Sequence, residues 1–503
     1  MLNKFIWTAS KLSIATLIAV GSMLSVGSFA QDNEYVEEVV SIGTRGKPRS
    51  VSSSPVPVDV LSAEDISKTG TDDLLMQLQG SIPSLNVHLQ PISDAASMIR
   101  PANLRGLSAD STLITTNGKR RHHASVIAFQ GGGVNDGSQG ADISVIPAIA
   151  LKRVEVLRDG ASAQYGSDAI AGVINFVLDD ISEGGSLSYK MGEYTEGDGA
   201  TTTIAGKYGL PLGQDGFVTT SFQIRQADDT SRSLQRPDAA ALIAAGNTAV
   251  ANPAQVWGAP KVDDDVTFFM NAGVTNSDGS ESYMFGNYSE RDVDGGFYYR
   301  NPDGRSGVFT IGDYRAVGNV DGTCAYGTGA SGQVDPSNYA TRDAIMADPS
   351  CFLMNEIAPG GYTPRFVGTI TDTSFTTGRR GEITDGFLSG YSFDVSGSVG
   401  RNEADFGLNN TVNPSMGPDT PRNFTTGSYI ELEKTFNFDL QKQFDSVSVA
   451  YGVEWREETF EVISGEEASW KAGKYALQGF NVGSHGFAGF SPDSQGSFTR
   501  RSY

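Results

Sequence analysis

The chain holds only 2 cysteines in 503 residues, Cys324 and Cys351, and they form no C-x-x-C pair. That argues against a dithiol redox role. Long apolar runs are equally scarce. After Leu12–Val26 no stretch of the length a transmembrane helix needs is apolar. Any passage through a membrane would therefore require a closed barrel, because only helices and barrels satisfy their backbone groups in lipid. Cations are outnumbered, 37 Lys and Arg against 59 Asp and Glu, for a net charge of -22. Such a balance argues against nucleic acid as a partner, since phosphate binding needs Lys and Arg in excess. A glycine-rich stretch, Gly131-Gly132-Gly133 to Gly140, lacks the Lys-Ser/Thr of a phosphate loop and the spacing of a dinucleotide fingerprint. It reads as an apical mobile loop. No Ser/His/Asp or Cys/His set stands out, the carboxylates are too many to single out a pair, and no metal site or cofactor is expected.

What is present begins with an export signal. Lys4 and Lys11 form a short positive region, Leu12–Val26 an apolar one, and Ser28-Phe29-Ala30 the small residues of a cleavage site. Cleavage is expected near Ala30, leaving Gln31 as the new N-terminus. The composition, with 60 Gly and 10% aromatic residues, leans towards β-structure. In an exported chain, two cysteines sharing one long polar segment are expected to bond and brace it rather than hold a metal.

Periodicity divides the remainder at about Leu178 to Gly185. Before that point short elements are mixed. Val56, Val58 and Val60 alternate as a strand, with Pro57 marking an edge. Ser62 to Asp65 has the form of a capping box. Thr71, Asp72 and Asp73 cap a second helix through Leu74, Leu75 and Leu78. Ser111–Thr116 reads as a strand running into Asn117-Gly118, a strong hairpin signal. Leu151–Leu157 and Val173–Leu178 are further strands around a small-residue turn. Beyond the boundary the alternation becomes strict. Tyr391, Phe393, Val395 and Val399 face away from Ser392, Asp394, Ser396 and Ser398, and the pattern recurs at Ile430–Leu440 and Val447–Trp455. Short turns, such as Asn276-Ser277-Asp278-Gly279, alternate with long polar connections, read as Asp228 to Asp265 and Asp292 to Pro364. Unequal connections of this kind favour an outer-membrane barrel over a soluble sandwich.

Several motifs now carry a family resemblance. Glu37-Glu38-Val39-Val40-Ser41-Ile42-Gly43-Thr44-Arg45 resembles a TonB box, taken as Glu38, Val39, Val40, Ser41, Ile42 and Gly43. Leu104-Arg105-Gly106-Leu107, Thr112 to Asn117-Gly118-Lys119-Arg120, and Val154-Glu155-Val156-Leu157-Arg158-Asp159-Gly160 through Tyr165-Gly166 to Asn175 resemble the plug of the TonB-dependent outer-membrane receptors. The likeness covers residues 36 to 180, and the later strands more loosely. Asp159 departs from it, standing where many members have Arg-Gly directly.

The resemblance implies an α+β plug domain followed by an antiparallel transmembrane β-barrel, incomplete at about half of the strands. The expected divisions are a signal peptide at 1–30, a periplasmic tail with the box at 31–50, a plug at 51–180 and a partial barrel at 185–503. It also implies energised uptake of a scarce nutrient complex, of iron-siderophore type or another small complex. The partners would be a TonB-type periplasmic energy coupler, the small nutrient complex at the outer face, and outer-membrane lipid. No enzymatic activity is expected. Within the plug, Arg105, Gly106, Asn117, Gly118, Glu155, Arg158, Gly160, Tyr165 and Gly166 form the core motif. Glu155 is expected to pair with Arg158 and Arg105, while Gly160, Gly166 and Gly172 permit tight turns and close approach. His122, His123 and Gln130 are candidates for a ligand-facing apex, although a solvated loop is the plainer reading of the His pair. An exported soluble β-rich binding protein or enzyme is the alternative. A receptor that also signals to a transcription regulator would need an additional domain ahead of the box. Barrels that enclose a plug have about 22 strands. The sequence shows about nine, with a tenth starting near Phe498, so truncation is expected.

Overall fold

The computed structural model describes residues 39–40, 49–50 and 57–503, apart from positions 69, 72, 88–94, 96–97, 129–133 and 446. The signal segment and Glu38, Ser41, Ile42, Gly43 and Gln130, together with the three-glycine run, lie outside the described residues. Near the N-terminus β1 (Val39–Val40) pairs antiparallel with β2 (Arg49–Ser50), a ladder of two residues on each side.

The N-terminal domain is built on a five-stranded sheet. In chain order its strands are β3 (Val58–Ser62), β6 (Thr112–Thr116), β7 (Lys119–Arg120), β8 (Leu151–Leu157) and β9 (Gly172–Leu178); in space they run β3-β8-β9-β6-β7. A small ladder joins β4 (Leu85–Val87) to β5 (Ala102–Leu104). Strand β3 lies at a sheet edge, where a neighbouring proline costs no ladder bond. Ser62 caps the helix Ala63–Ser67 by accepting from the Asp65 amide at 3.1 Å. Asp73 caps Leu74–Ser81 through the Met76 amide, and Pro83 follows the last turn, where it cannot extend the helix. The Leu74, Leu75 and Leu78 spacing puts three leucines on one face. That face packs with Leu104, Val154, Val156, Ile174 and Phe176 into the main core, which also takes in Phe269 and Phe285 from the strands beyond. Each such burial contributes about 1.5–3 kcal/mol.

From Gly185 onward ten antiparallel strands follow one another as a meander. They are β10 (Gly185–Gly192), β11 (Thr201–Leu212), β12 (Gly216–Ala227), β13 (Lys261–Thr275), β14 (Glu281–Gly295), β19 (Arg365–Ile383), β20 (Tyr391–Asn409), β21 (Phe424–Gln443), β22 (Ser448–Ser464) and β23 (Gly496–Ser502). Four two-residue strands in the long connection after β14 make up the numbering: β15 (Thr310–Ile311), β16 (Tyr314–Arg315), β17 (Gly318–Asn319) and β18 (Cys351–Phe352). The sheet is open, with β10 and β23 as its outer strands. At one end the connections are short, at 213–215, 276–280, 384–390 and 444–447; at the other lie 228–260, 296–364, 410–423 and 465–495.

Two loop boundaries need correction. Strand β13 already begins at Lys261 and β14 continues to Gly295, with Asp265 paired to Arg291 and Asp264 to Asp292. These acid-rich stretches look like loop in composition, yet neighbouring strands supply their backbone partners.

The phase of the sheet is decisive. Large apolar side chains on one face are exposed: Met191, Phe268, Met284, Phe375, Val399, Phe436, Tyr451 and Val453. On the other face Thr267, Asn271, Asn287, Asp372, Ser396, Asn402, Glu433 and Arg456 are buried. A soluble sandwich buries its apolar residues. This sheet does the reverse, as the wall of a membrane barrel does.

Candidate functional site

The chemistry concentrates where the N-terminal domain meets the polar face of the wall. The motif residues set up that meeting by shaping turns. Arg105 and Gly106 both adopt positive φ, +57° and +72°, and the Arg105 amide bonds the Ser84 carbonyl. Asn117 and Gly118, at +49° and +77°, make the tight hairpin between β6 and β7. The Asn117 side chain accepts from the Leu178 amide at 2.8 Å and donates to Asn271 on β13. Asn175 receives the Gly118 amide and the Thr115 hydroxyl, and donates to the fully buried Glu155. Gly166 has a φ of +90°, and a Cβ on Gly172 would lie 2.2 Å from the Leu157 carbonyl oxygen. Gly160 does not adopt positive φ, but a Cβ there would stand a tight 3.3 Å from the Ile170 carbonyl oxygen.

The hairpin delivers Lys119 to His123 against the wall. Arg121 donates to Asp372 at 2.7 Å and to Asn287 at 3.3 Å. The other Asp372 oxygen meets His122 Nε2 at 2.9 Å and the Asn402 amide at 3.0 Å. Asn402 in turn accepts from the Ser125 amide and hydroxyl. All six side chains at this node are buried. Lys119 reaches Asp394 at 2.9 Å. Arg120 bonds Asp168, which Arg456 on β22 also approaches at 3.3 Å. Burial opposes the Asp168 charge, but Arg120 and Arg456 outweigh it and hold that carboxyl below the usual range.

His123 sits between two wall carboxylates, 3.2 Å from Glu433 and 3.5 Å from Glu458. Burial alone would lower its pKa; the two carboxylates and Asp168 push it up instead, to about 10. Higher on the wall, Gln139 donates to Glu431 at 3.0 Å. Arg291 on β14 binds Asp142 at 3.2 Å, the Met98 carbonyl at 2.8 Å and the Ser144 hydroxyl. Asp73, partly buried and held below its ordinary pKa by Arg100 and Arg225, faces the same region. A cavity of about 1040 Å³ lies there, lined by Asp73, Arg100, Arg225, Trp257 and Asp265.

A compact α+β unit inserted against the polar face of an antiparallel wall is a specific arrangement, and comparison with known proteins matches it. Residues 50–173 match the family described as TonB-dependent Receptor Plug Domain. The N-terminal segment is similar to the plug of TonB-dependent receptors. An iron-regulated outer membrane virulence protein of Vibrio cholerae is 28% identical over 165 residues, covering 33% of this chain and 23% of that protein. The ferric enterobactin receptor PirA of Pseudomonas aeruginosa is 29% identical over 175 residues, again 33% of this chain and 23% of its own. Among solved structures, the ferric enterobactin receptor PfeA in complex with BCV-L6 superposes with a TM-score of 0.52 at 16% identity, covering 88% of this chain and 54% of that one. A double mutant of PfeA from Pseudomonas aeruginosa gives 0.51, with 88% and 53% covered. The chain thus spans about half the length of the receptors whose fold it shares.

With this domain placed, two expectations change. The His pair does not occupy a solvated loop: His122 is buried and His123 mostly so, because Asp372, Glu433 and Glu458 replace water as their partners. The partners found around Glu155 differ from the expected ones. Arg158 holds Asp59 across the sheet at 3.0 Å, Arg105 approaches Asp159 at 3.7 Å, and Glu155 takes Arg153 at 2.8 Å. Tyr165 contributes its carbonyl, which accepts from Arg120. The wall residues that receive the plug were not singled out from the sequence, although their signal was available: Asp372, Asn402, Glu431, Glu433 and Glu458 occupy the polar phase of alternating strands.

The long connections also hold one another together. Cys324 and Cys351 are bonded, with Cα atoms 5.1 Å apart. His485 links two of the loops. Its Nε2 accepts from Arg305 at 3.2 Å, its Nδ1 meets the Tyr362 hydroxyl at 3.1 Å, and its carbonyl accepts from Thr411. Burial, and then Arg300 and Arg305, push its pKa down to about 3. The ring is therefore neutral.

Proposed function

We propose that the chain acts in the outer membrane as the plug and part of the barrel of a TonB-dependent receptor, taking up an iron–siderophore complex or a chemically similar nutrient. The observation that carries this reading is the inverted sheet with a plug seated on its polar face. An apolar exterior suits lipid, and a polar interior suits a solute path that the plug closes. The relatives' names point to ferric siderophores. Further strands pairing on the β10 and β23 edges would close the barrel, since lipid tolerates no open edge.

Coupling would run through the box. Among the described residues Val39 and Val40 pair with Ser50 and Arg49, so an energy-coupling protein adding a strand there would exchange one extended pairing for another. Export with cleavage near Ala30 would deliver the chain. The divisions at 31–50, 51–180 and 185–503 serve as tail, plug and wall. The loops at 228–260, 296–364, 410–423 and 465–495 would face the ligand.

The test is uptake of radiolabelled iron as ferric enterobactin and other ferric siderophores, in cells lacking their own receptors and expressing the complete gene. Iron accumulation that a Val40→Pro variant abolishes, with the protein still in the outer-membrane fraction, supports the reading. Recovery of the protein in the soluble periplasm would sink it.

A further inference from the structure

We propose that His123, Glu433 and Glu458 bind one divalent transition-metal ion of zinc's type, tying the plug to the wall. The three ligand atoms come from separate elements: the segment after β7, strand β21 and strand β22. All lie within 4.8 Å of one another. From His123 Nδ1 the carboxylate oxygens are 3.2 and 3.5 Å away. Tetrahedral coordination with bonds of about 2.0–2.1 Å has ligand–ligand edges of about 3.4 Å. The nitrogen therefore already stands at coordination spacing from each carboxylate oxygen, and the two oxygens lie within 4.8 Å of each other, so a small closing movement of the carboxylates would complete three corners and leave the fourth for water.

Two further observations point to a cation there. Glu433 and Glu458 are directly opposite each other in the β21–β22 register, on the buried face. Like charges opposite one another across a ladder repel, and an ion between them reverses that cost. Glu433 is only 2% exposed, and its Oε2 has an ion-pair partner in His123 at 3.2 Å but no well-formed hydrogen bond; Glu458 Oε2, 3.6 Å from Arg456 Nε, has none either. Buried carboxylate oxygens are seldom left so.

The surroundings agree in charge. Asp168, Glu431, Glu433, Glu454 and Glu458 stand in this neighbourhood with Arg120, Arg456 and Arg500. An ion binding here displaces the proton that the carboxylates otherwise hold on the His123 ring, and with the imidazole then neutral two negative charges remain, the complement of a divalent ion. One ring proton can serve only one carboxylate oxygen at a time, whereas an ion serves both and the ring nitrogen together. The site does not depend on which solute the protein transports.

The test uses the full chain, purified in detergent and stripped with chelator, then titrated with Zn²⁺ and separately with Co²⁺. One equivalent of Zn²⁺ should bind. His123→Gln and Glu433→Gln should each weaken binding at least about tenfold, while His485→Gln leaves it unchanged. Bound Co²⁺ should show the strong visible bands of four-coordination. Absence of saturable binding by the parent overturns the proposal, and so does equal binding in the His123 and Glu433 variants. Should those variants fail to fold, the Co²⁺ spectrum of the parent decides: a six-coordinate, water-like spectrum overturns it.

Discussion

Replacing Asp372 by Asn should release the plug from its best-buried anchor. Asp372 carries the only formal negative charge at that node and accepts from Arg121, His122, Asn287 and Asn402. The Asp372→Asn variant keeps the shape but leaves the Arg121 guanidinium, with 3% of its side chain exposed, without a counter-charge. Removing one partner of a buried pair costs about 3–5 kcal/mol, and each 1.4 kcal/mol is about tenfold. Opening of the plug from the wall should therefore become at least about 10²-fold more frequent. The assay is maleimide labelling of a cysteine placed at Val126, which is buried under the same contact. Under fast reclosing, its rate reports the open population. A second background sharpens the test. Arg121→Met with Asp372→Leu removes both charges, and labelling should return to near the parental rate, because apolar replacements of a buried pair are close to neutral. An acceleration below about threefold in Asp372→Asn would refute the idea that this node holds the plug, as would a double variant with simply additive effects.

Other consequences can be checked separately. Gly172→Ala places a methyl 2.2 Å from the Leu157 carbonyl at a φ of +151°, so the plug should lose more than about 2 kcal/mol, read as the urea midpoint of its unfolding. For His485 the folded pKa of about 3 lies below the unfolded value. The folded state therefore binds fewer protons between the two, and stability is complete above about pH 6.5 and falls towards pH 3 by about 1.4 kcal/mol per unit. Hydrogen exchange in 410–423 and 465–495 should accelerate at pH 4.5 and become insensitive to pH in His485→Asn. Opening the Cys324–Cys351 bond, which spans 27 residues, should cost the loop about 3.5 kcal/mol; faster proteolysis within 296–364 with unchanged strand circular dichroism is the expected result. Val453→Lys on the outward face should cost about 2–4 kcal/mol in a bilayer, measured by refolding into lipid vesicles.

Local signals were readable and distant ones were not. The Asn117-Gly118 hairpin, the Ser62 and Asp73 caps and the alternation of β20 to β22 each depend on residues a few positions apart. Those features identified the plug and the strands. The acid-rich ends of β13 and β14 were misread because their composition is that of a loop, and only the neighbouring strands show that they are paired. Ion-pair partners were the least legible. Arg121 and Asp372 are 251 positions apart, and nothing in either local sequence selects the other among 59 carboxylates. What the sequence did offer was phase: charge on the polar side of an alternating strand has to face something buried. That constraint, applied strand by strand, would have recovered Asp372, Glu433 and Glu458 without naming their partners.

The reversed polarity of the wall bears on how such a chain can be made. A sheet with Phe436, Tyr451 and Val453 outward gains nothing by forming in water, where the hydrophobic effect would turn those side chains inward. In an aqueous compartment its favoured states are misfolded or aggregated ones, so the strands must travel unpaired and meet lipid before they meet each other. The Asp372 and His123 contacts lie on two sides of that step, since the plug residues can be in place before their wall partners exist. Insertion into the bilayer, more than the order of the sequence, then sets the moment at which the plug is fastened.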